Sequence, residues 1–332
     1  MKAFILDRYK TRTLRFGDVP EPATDPGDVL VRVEAAGLNL LDSKIRDGEL
    51  KSVLPYKTPL LLGHDLAGTV VKVGANVRLF KPGDAVYARP RDGQIGAFAE
   101  QIVVKEADLA AKPVNLSMEE AASIPLVGLT AWQVLVERAQ IKPGQKVLIH
   151  AGSGGVGTFA IQLAKHLGAT VATTASAANA TLVKKLGADI VIDYRSQKFE
   201  EELSDYDVVL NSLDATTLEK SLKVLKPGGK LISISGPPDP AFARAKDLNV
   251  VVRLVLHATS AGIRHKAKRA GVDYSFLFMR ADGGQLDQIT KLIEDGTIHP
   301  VVDRIFPFAE LNEAFAYIET GRAKGKVVVT LK

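Results

Sequence analysis

The sequence predicts an α/β protein of two parts, a β-rich body and a doubly wound parallel sheet. Three observations predict it. The chain has 332 residues, 46% of them hydrophobic and 24% charged, which suits about two domains of ~150 residues with substantial cores. Its first third is a succession of short β-branched runs punctuated by Pro and Gly. From about residue 117 onward, strand patterns alternate with helical ones, the signature of a parallel sheet.

In chain order, Val29–Ala35, Thr69–Val73, Gly83–Tyr87 and Ala99–Val104 read as strands of a partly closed antiparallel body. Ser117 opens a helix as N-cap, and Glu120 three residues on completes a capping box. Strands then follow at Val147–His150, Thr170–Thr174, Ile190–Asp193, Asp207–Leu210 and Lys230–Ile234. Helices at Thr158–Leu167 and Ala180–Leu186 alternate with the first of these, and Gln285–Asp295 is another helix. Val301–Phe306 and Lys326–Leu331 close the chain as strands flanking a helix at Leu311–Glu319. No internal repeat of ~20–50 residues is present.

The strongest motif is Gly152-Ser153-Gly154-Gly155-Val156-Gly157. It matches G-x-G-x-x-G between a strand and an amphipathic helix. The first glycine permits the tight turn, the second lets backbone approach a pyrophosphate, and the third lets helix and strand pack closely. The helix N-terminus offers unpaired N–H groups and a partial positive charge. The end of the next strand then selects the cofactor. A carboxylate there would bind the ribose 2′-hydroxyl of NAD, but the segment Thr173-Thr174-Ala175-Ser176-Ala177-Ala178-Asn179 has none. Ser176 and Asn179 therefore point to NADP; the competing reading is that both cap the following helix.

The chain has no cysteine, so disulfides, thiolate nucleophiles, Fe–S clusters and Cys-based zinc sites are excluded. The start, Met1 to Arg8, resembles neither a signal nor a transit peptide, and a cytoplasmic location is expected. No apolar run reaches ~18 residues; Leu248–Ala261 is broken by Asn249, Arg253 and His257. The net charge is +5, and its location matters more than its size. Between Arg244 and Arg269 there are seven Lys/Arg and one acid, Asp247, so the surplus is local. Aromatic interleaving is absent there, and a nucleic-acid partner is not expected. That segment, 244–269, reads as a solvated helix face, an attractor of an anionic cofactor, or a peripheral contact with an anionic membrane surface.

Further segments complete a recognisable pattern. They are Gly37-Leu38-Asn39-Leu40-Leu41-Asp42, Gly63-His64-Asp65-Leu66-Ala67-Gly68, Lys81-Pro82-Gly83-Asp84, Gly128-Leu129-Thr130-Ala131-Trp132, Leu186-Gly187-Ala188-Asp189 and the closing Gly321-Arg322-Ala323-Lys324-Gly325-Lys326. The chain resembles the zinc-independent quinone oxidoreductase and alkenal/enone reductase branch of the medium-chain dehydrogenase/reductase superfamily, along nearly its whole length. The resemblance implies a GroES-like catalytic domain of residues 1–122 and 299–332 around a Rossmann NADP-binding domain of residues 123–298. It implies that Thr130 and the strand end at Ser235-Gly236 lie by the nicotinamide. It also implies that Tyr194, Arg322 and Lys324 lie near the adenosine phosphate. A basic residue common in relatives after the second strand is Asn179 here, which leaves the phosphate charge to Arg322 and Lys184.

Zinc dehydrogenases of the superfamily place a Cys where this chain has Asn39, and a Glu where it has Asp65. A zinc site from His64, Asp65 and Glu100 is the chemical alternative to a packed His64 bonding backbone, which is the expected state. Without a metal, electron-poor acceptors such as quinones and α,β-unsaturated carbonyls are the expected substrates. Asn39 is the first candidate to hydrogen-bond the developing oxygen. Asp42 orders its loop or caps a helix before Ser43. Thr130 contacts the nicotinamide or back-bonds within its helix. Tyr56, Phe276 and Phe278 line an apolar pocket or belong to the core. Tyr274–Phe278 is expected at a sheet edge, and a homodimer through that edge. The competing functions are an enoyl-thioester reductase and a non-catalytic scaffold that retains NADPH.

Overall fold

The computed structural model describes residues 1–331. In chain order the elements begin with β1 (Lys2–Leu6), β2 (Arg15–Asp18), β3 (Asp28–Gly37), α1 (Leu40–Arg46), β4 (Leu60–Leu61), β5 (Asp65–Val73), β6 (Ala85–Ala88), β7 (Gln101–Lys105) and β8 (Leu109–Ala111). Next come α2 (Met118–Ala122), α3 (Pro125–Trp132), β9 (Lys146–Ile149), α4 (Gly155–His166), β10 (Thr170–Ala175), α5 (Ala180–Lys185), β11 (Ile190–Asp193), α6 (Phe199–Glu202) and β12 (Tyr206–Asn211). The chain continues with α7 (Ala215–Ser221), β13 (Leu225–Ser233), α8 (Pro240–Ala245), α9 (Val250–Arg269) and β14 (Asp273–Phe276), and ends with α10 (Gly283–Glu294), β15 (Val302–Pro307), α11 (Leu311–Glu319) and β16 (Lys326–Thr330).

Two compact units form, one of residues 1–129 with 280–332 and one of residues 130–279. The first unit holds a sheet in the order β15-β16-β3-β5-β6-β8, with β7 also on β3, and a small sheet β2-β1-β4. Its pairings are antiparallel except β15 with β16. The last strand pairs with the third, Val328 opposite Gly37, so both chain ends build one body. The division differs from the expected 122/123 and 298/299. Helix α10 packs on β8 of the first unit, where the Tyr87 hydroxyl donates to Leu286 O at 2.9 Å. A β-carbon at Gly283 would collide with Leu109 O, so only glycine allows that approach.

The second unit is an all-parallel sheet in the order β11-β10-β9-β12-β13-β14. The order reverses between β9 and β12, which creates the crevice where open α/β sheets take ligands. Its core is built from Leu148, Ala172, Val209 and Leu231 of the central strands, with Ile263 and Ala267 of α9 over one face. Strand β14 is an open edge. No described helix is long and apolar enough to cross a membrane.

Local signals account for the helix starts. Ser117 Oγ accepts from Glu120 N at 3.1 Å, and Glu120 accepts in return from Ser117 N at 2.9 Å. Asp214, Asp239, Asn249 and Asp282 cap α7, α8, α9 and α10, each side chain accepting from the N–H three residues on. Helix α3 runs directly into a wider π-helical coil, Gln133–Arg138. The Lys230 ammonium satisfies two of its last carbonyls, Arg138 O at 3.2 Å and Ala139 O at 2.9 Å.

Candidate active site

The first unit carries a buried polar cluster built where β3, α1, β5 and β16 meet. Asn39 is the N-cap of α1, and 8% of it is exposed. Lys326 at the start of β16 is also buried, and its ammonium donates to Leu38 O (2.8 Å), Asn39 Oδ1 (2.6 Å) and Asp65 Oδ2 (2.9 Å). A lysine can only donate, which fixes the Asn39 oxygen toward it. The Asn39 amide nitrogen then donates to Asp65 Oδ2 at 2.9 Å and toward Gly37 O at 3.4 Å. The other oxygen of Asp65 accepts from Leu126 N at 2.6 Å, in the first turn of α3. Thr130 is buried one turn further along that helix.

Three expectations meet this geometry. The Asn39 amide bonds within the cluster at both ends, its oxygen to Lys326 and its nitrogen to Asp65. Of the two expected roles of Asp42, it takes that of ordering its loop rather than that of N-cap; it sits at the third helical position, and its Oδ2 accepts from Asn39 N at 3.2 Å. His64 does not bond backbone through its ring. Its Nδ1 meets Asp42 Oδ1 at 2.6 Å, an oxygen that also accepts from Gly63 N at 3.1 Å. The opposite ring nitrogen, Nε2, is buried without a hydrogen-bond partner. Lys326 was not singled out from the sequence as a site residue, because only the β16–β3 pairing brings it to Asn39 and Asp65.

In the second unit the glycine turn follows β9. Ala151, at φ 53°, takes the left-handed step that a glycine would take more easily. Gly152 and Gly157 are needed for space. A β-carbon on Gly152 would overlap Thr173 Oγ1, and one on Gly157 would overlap Ala151 O and Gly152. Gly154 caps α4, so the N–H groups of Gly155, Val156 and Gly157 have no intrahelical partner and point to an anion. Behind the turn, His150 is fixed in one tautomer. Ser221 Oγ donates to Thr217 O at 2.7 Å, so at 2.9 Å it accepts from His150 Nε2, and Thr174 Oγ1 donates to Nδ1 at 3.2 Å. Burial holds the His150 imidazole neutral, with its pKa pushed down to about 4.

At the end of β10, Ser176 and Asn179 do not cap through their side chains. Asn179 Nδ2 instead donates to Ser153 Oγ at 3.0 Å, tying this loop to the glycine turn, and Asn179 Oδ1 is buried and unpartnered. The β10–β11 register sets Ala175 beside Asp193, so Tyr194 and Arg195 leave the sheet next to Ser176. Tyr194 is 58% exposed, and the Arg195 guanidinium lies 5.8 Å from its ring centre. Arg195 is a cation the sequence reading missed; its signal is its place directly after the third strand. At the β13 end, Ser233 Oγ donates to Asn211 Oδ1 at 3.0 Å and Ser235 Oγ donates to Leu213 O at 2.6 Å. Ser233 Oγ also accepts from Gly236 N at 2.8 Å. Asn211 Nδ2 is buried without a partner. A cradle that β-carbons would fill, three open N–H groups and two orphaned amide atoms fit a dinucleotide.

Arg322 and Lys324 are exposed in the α11–β16 loop of the first unit, and Lys184 is exposed on α5. Phe276 and Phe278 pack on Phe242, with ring centres at 5.1 and 6.2 Å, and serve the core of the second unit. Tyr56 belongs to the first unit; its hydroxyl is pushed up to about 12, chiefly by burial.

Two family models match the chain: an alcohol dehydrogenase GroES-like domain over residues 25–114 and a zinc-binding dehydrogenase over residues 186–329. The chain is 36% identical to the mitochondrial NAD(P)H oxidoreductase RTN4IP1 of Danio rerio, over 100% of this chain and 91% of that one. It is 38% identical to the chloroplastic NADPH-dependent alkenal/one oxidoreductase of Arabidopsis thaliana, over 94% and 73%. The solved quinone oxidoreductase of Coxiella burnetii superposes with a TM-score of 0.87 at 30% identity, covering 100% of this chain and 99% of that one.

The residues here do not fit the zinc named by one family model. Asp65 is saturated by Lys326, Asn39 and Leu126 N, and Nδ1 of His64 by Asp42. Glu100 is an exposed residue that accepts from Lys2 N. The cation of this cluster is the Lys326 ammonium. On fold, site and relatives together, the chain is an oxidoreductase of the medium-chain dehydrogenase/reductase superfamily, in its quinone oxidoreductase and alkenal/enone reductase branch.

Proposed function

We propose that this protein transfers hydride from NADPH to quinones or α,β-unsaturated carbonyls. The observation that carries the cofactor choice is the end of β10. The strand end itself offers Ser176 and Asn179 and no carboxylate, and past Asp193 of the neighbouring strand Arg195 adds a cation, so a 2′-phosphate would meet hydrogen-bonding groups and a positive charge. The bound nicotinamide supplies the hydride. The N–H groups of Gly155, Val156 and Gly157 would hold the pyrophosphate, Thr130, Ser235 and Gly236 would border the nicotinamide, and Tyr194 would border the adenosine. Asn39 and Asp42 are positioning residues that hold the 37–42 loop and His64 in one arrangement. In an enone, hydride bonds to the β-carbon as the C=C π pair moves toward oxygen. A proton from solvent then reaches the α-carbon, which balances NADPH plus H⁺ against NADP⁺ and the saturated carbonyl. The acceptor class rests on the names of the relatives and on a site with no place for a metal Lewis acid.

The test is NADPH consumption with a panel of quinones, enones and enoyl thioesters, repeated with NADH. Turnover of a quinone or enone with a clear preference for NADPH supports the proposal. Turnover confined to enoyl thioesters would move the assignment to that class, and tight NADPH binding without turnover on any acceptor would sink it. We further propose a homodimer through the open edge of β14 and a cytoplasmic site of action, which light scattering and cell fractionation check.

A further inference from the structure

Helix α9 presents two apolar faces and only one of them is covered. Ser260, Ile263 and Ala267 are buried against the second unit, in a core shared with Val272 and Tyr274. On the opposite side of the 3.6-residue period, Val250, Val251, Leu254 and Val255 are exposed by 69, 71, 66 and 54%. Ala258, Ala261 and Gly262 continue that stripe, all exposed. A surface helix ordinarily carries polar residues there. Single exposed apolar side chains need no explanation, but four large ones within two turns form a patch that calls for a cover.

The C-terminal half of the helix says what kind of cover. Arg269 lies on the exposed side at the end of the stripe, flanked by Lys266 and Lys268, and the helix contains no Asp or Glu. Lys266 pairs with Glu219 at 2.7 Å, whereas Lys268 and Arg269 have no ion pair among the described residues. We propose that α9 lies against an anionic phospholipid bilayer, its Val250–Gly262 stripe in the headgroup boundary and its terminal cations on lipid phosphates. Apolar side chains beside cations are what an interfacial helix needs, and anionic lipid attracts each cation. A second copy of this chain fits less well, since the same face brings cations and no carboxylate to meet them. Nothing in this inference depends on the acceptor reduced.

The test is co-sedimentation of the full chain with vesicles of phosphatidylcholine alone and of equimolar phosphatidylcholine and phosphatidylglycerol, at low and high salt. Binding is expected to the mixed vesicles and to fall with salt. Leu254→Asp should weaken it about tenfold or more, and Lys268→Gln with Arg269→Gln about fivefold per cation. NADPH binding should be unchanged in both variants, which shows that they fold. Absence of binding to the mixed vesicles would overturn the proposal, as would equal, salt-independent binding to both. Light scattering that shows Leu254→Asp splitting a dimer into monomers would also overturn it and make the stripe a subunit interface.

Discussion

Lys326 shows how much depends on single buried charges. Its ammonium has three acceptors and almost no water, and Asp65 keeps three donors, so each charge is stabilised only by the other's presence. Removing one partner of such a pair typically costs about 3–5 kcal/mol, because the survivor stays buried and uncompensated. Lys326→Met should therefore lower unfolding free energy by that amount in urea titrations; a change within about 0.5 kcal/mol would mean that the pair is solvated. Asn39→Ala should cost stability as well as turnover, whereas a free substrate donor would affect turnover alone. His150 gives a pH signature. Its folded pKa is about 4 against an ordinary 6.5, so between those values the unfolded chain binds a proton that the folded chain refuses. The resulting stability is complete above pH 6.5 and is lost as pH falls toward 4, by at most about 3 kcal/mol. Melting curves over that range should show a shallower loss for His150→Gln than for the parent. Asn39, His64 and Asp65 were each visible in the sequence. Their partner was not, because Lys326 lies 261 residues beyond Asp65 and meets it only through the β16–β3 pairing.

The elements themselves were mostly legible. The capping box at Ser117, the glycine turn and the strand–helix alternation are local signals, and each appears as the sequence implied. The roles of the glycines were legible only in part. Gly152 is demanded by the Thr173 side chain on the neighbouring strand rather than by its own dihedral angles. Gly152→Ala should therefore weaken both folding and NADPH binding, and Thr173→Ala should recover part of the loss by removing Oγ1. Failure of that second substitution to recover anything, in paired melting and titration experiments, would place the strain elsewhere. Residues 244–269 read from the sequence as a helix face without bounds. The structure makes 250–269 one 20-residue helix, which apolar periodicity obscured because its first half is apolar on both sides.

At the scale of the molecule, the family resemblance implied a β-rich body built from both chain ends around an inserted parallel sheet, and the observed strand pairings join those ends in one sheet. The divide at 279/280 was not predictable, because α10 has the pattern of any amphipathic helix and only its packing on β8 assigns it. Cofactor choice also belongs to this scale, since it joins the ends of two strands. Arg195→Gln should raise the KM for NADPH about tenfold, as the loss of roughly 1.4 kcal/mol would, and leave that for NADH nearly unchanged. An equal rise for both cofactors would remove Arg195 from 2′-phosphate recognition. Hydride transfer itself is tested most directly by NADPH bearing deuterium at both C4 positions, with an enone as acceptor and the product read by NMR. One deuterium bound to the β-carbon per NADPH consumed is expected. A product without carbon-bound deuterium, or no NADPH consumption, would contradict a reductase that works by direct hydride transfer.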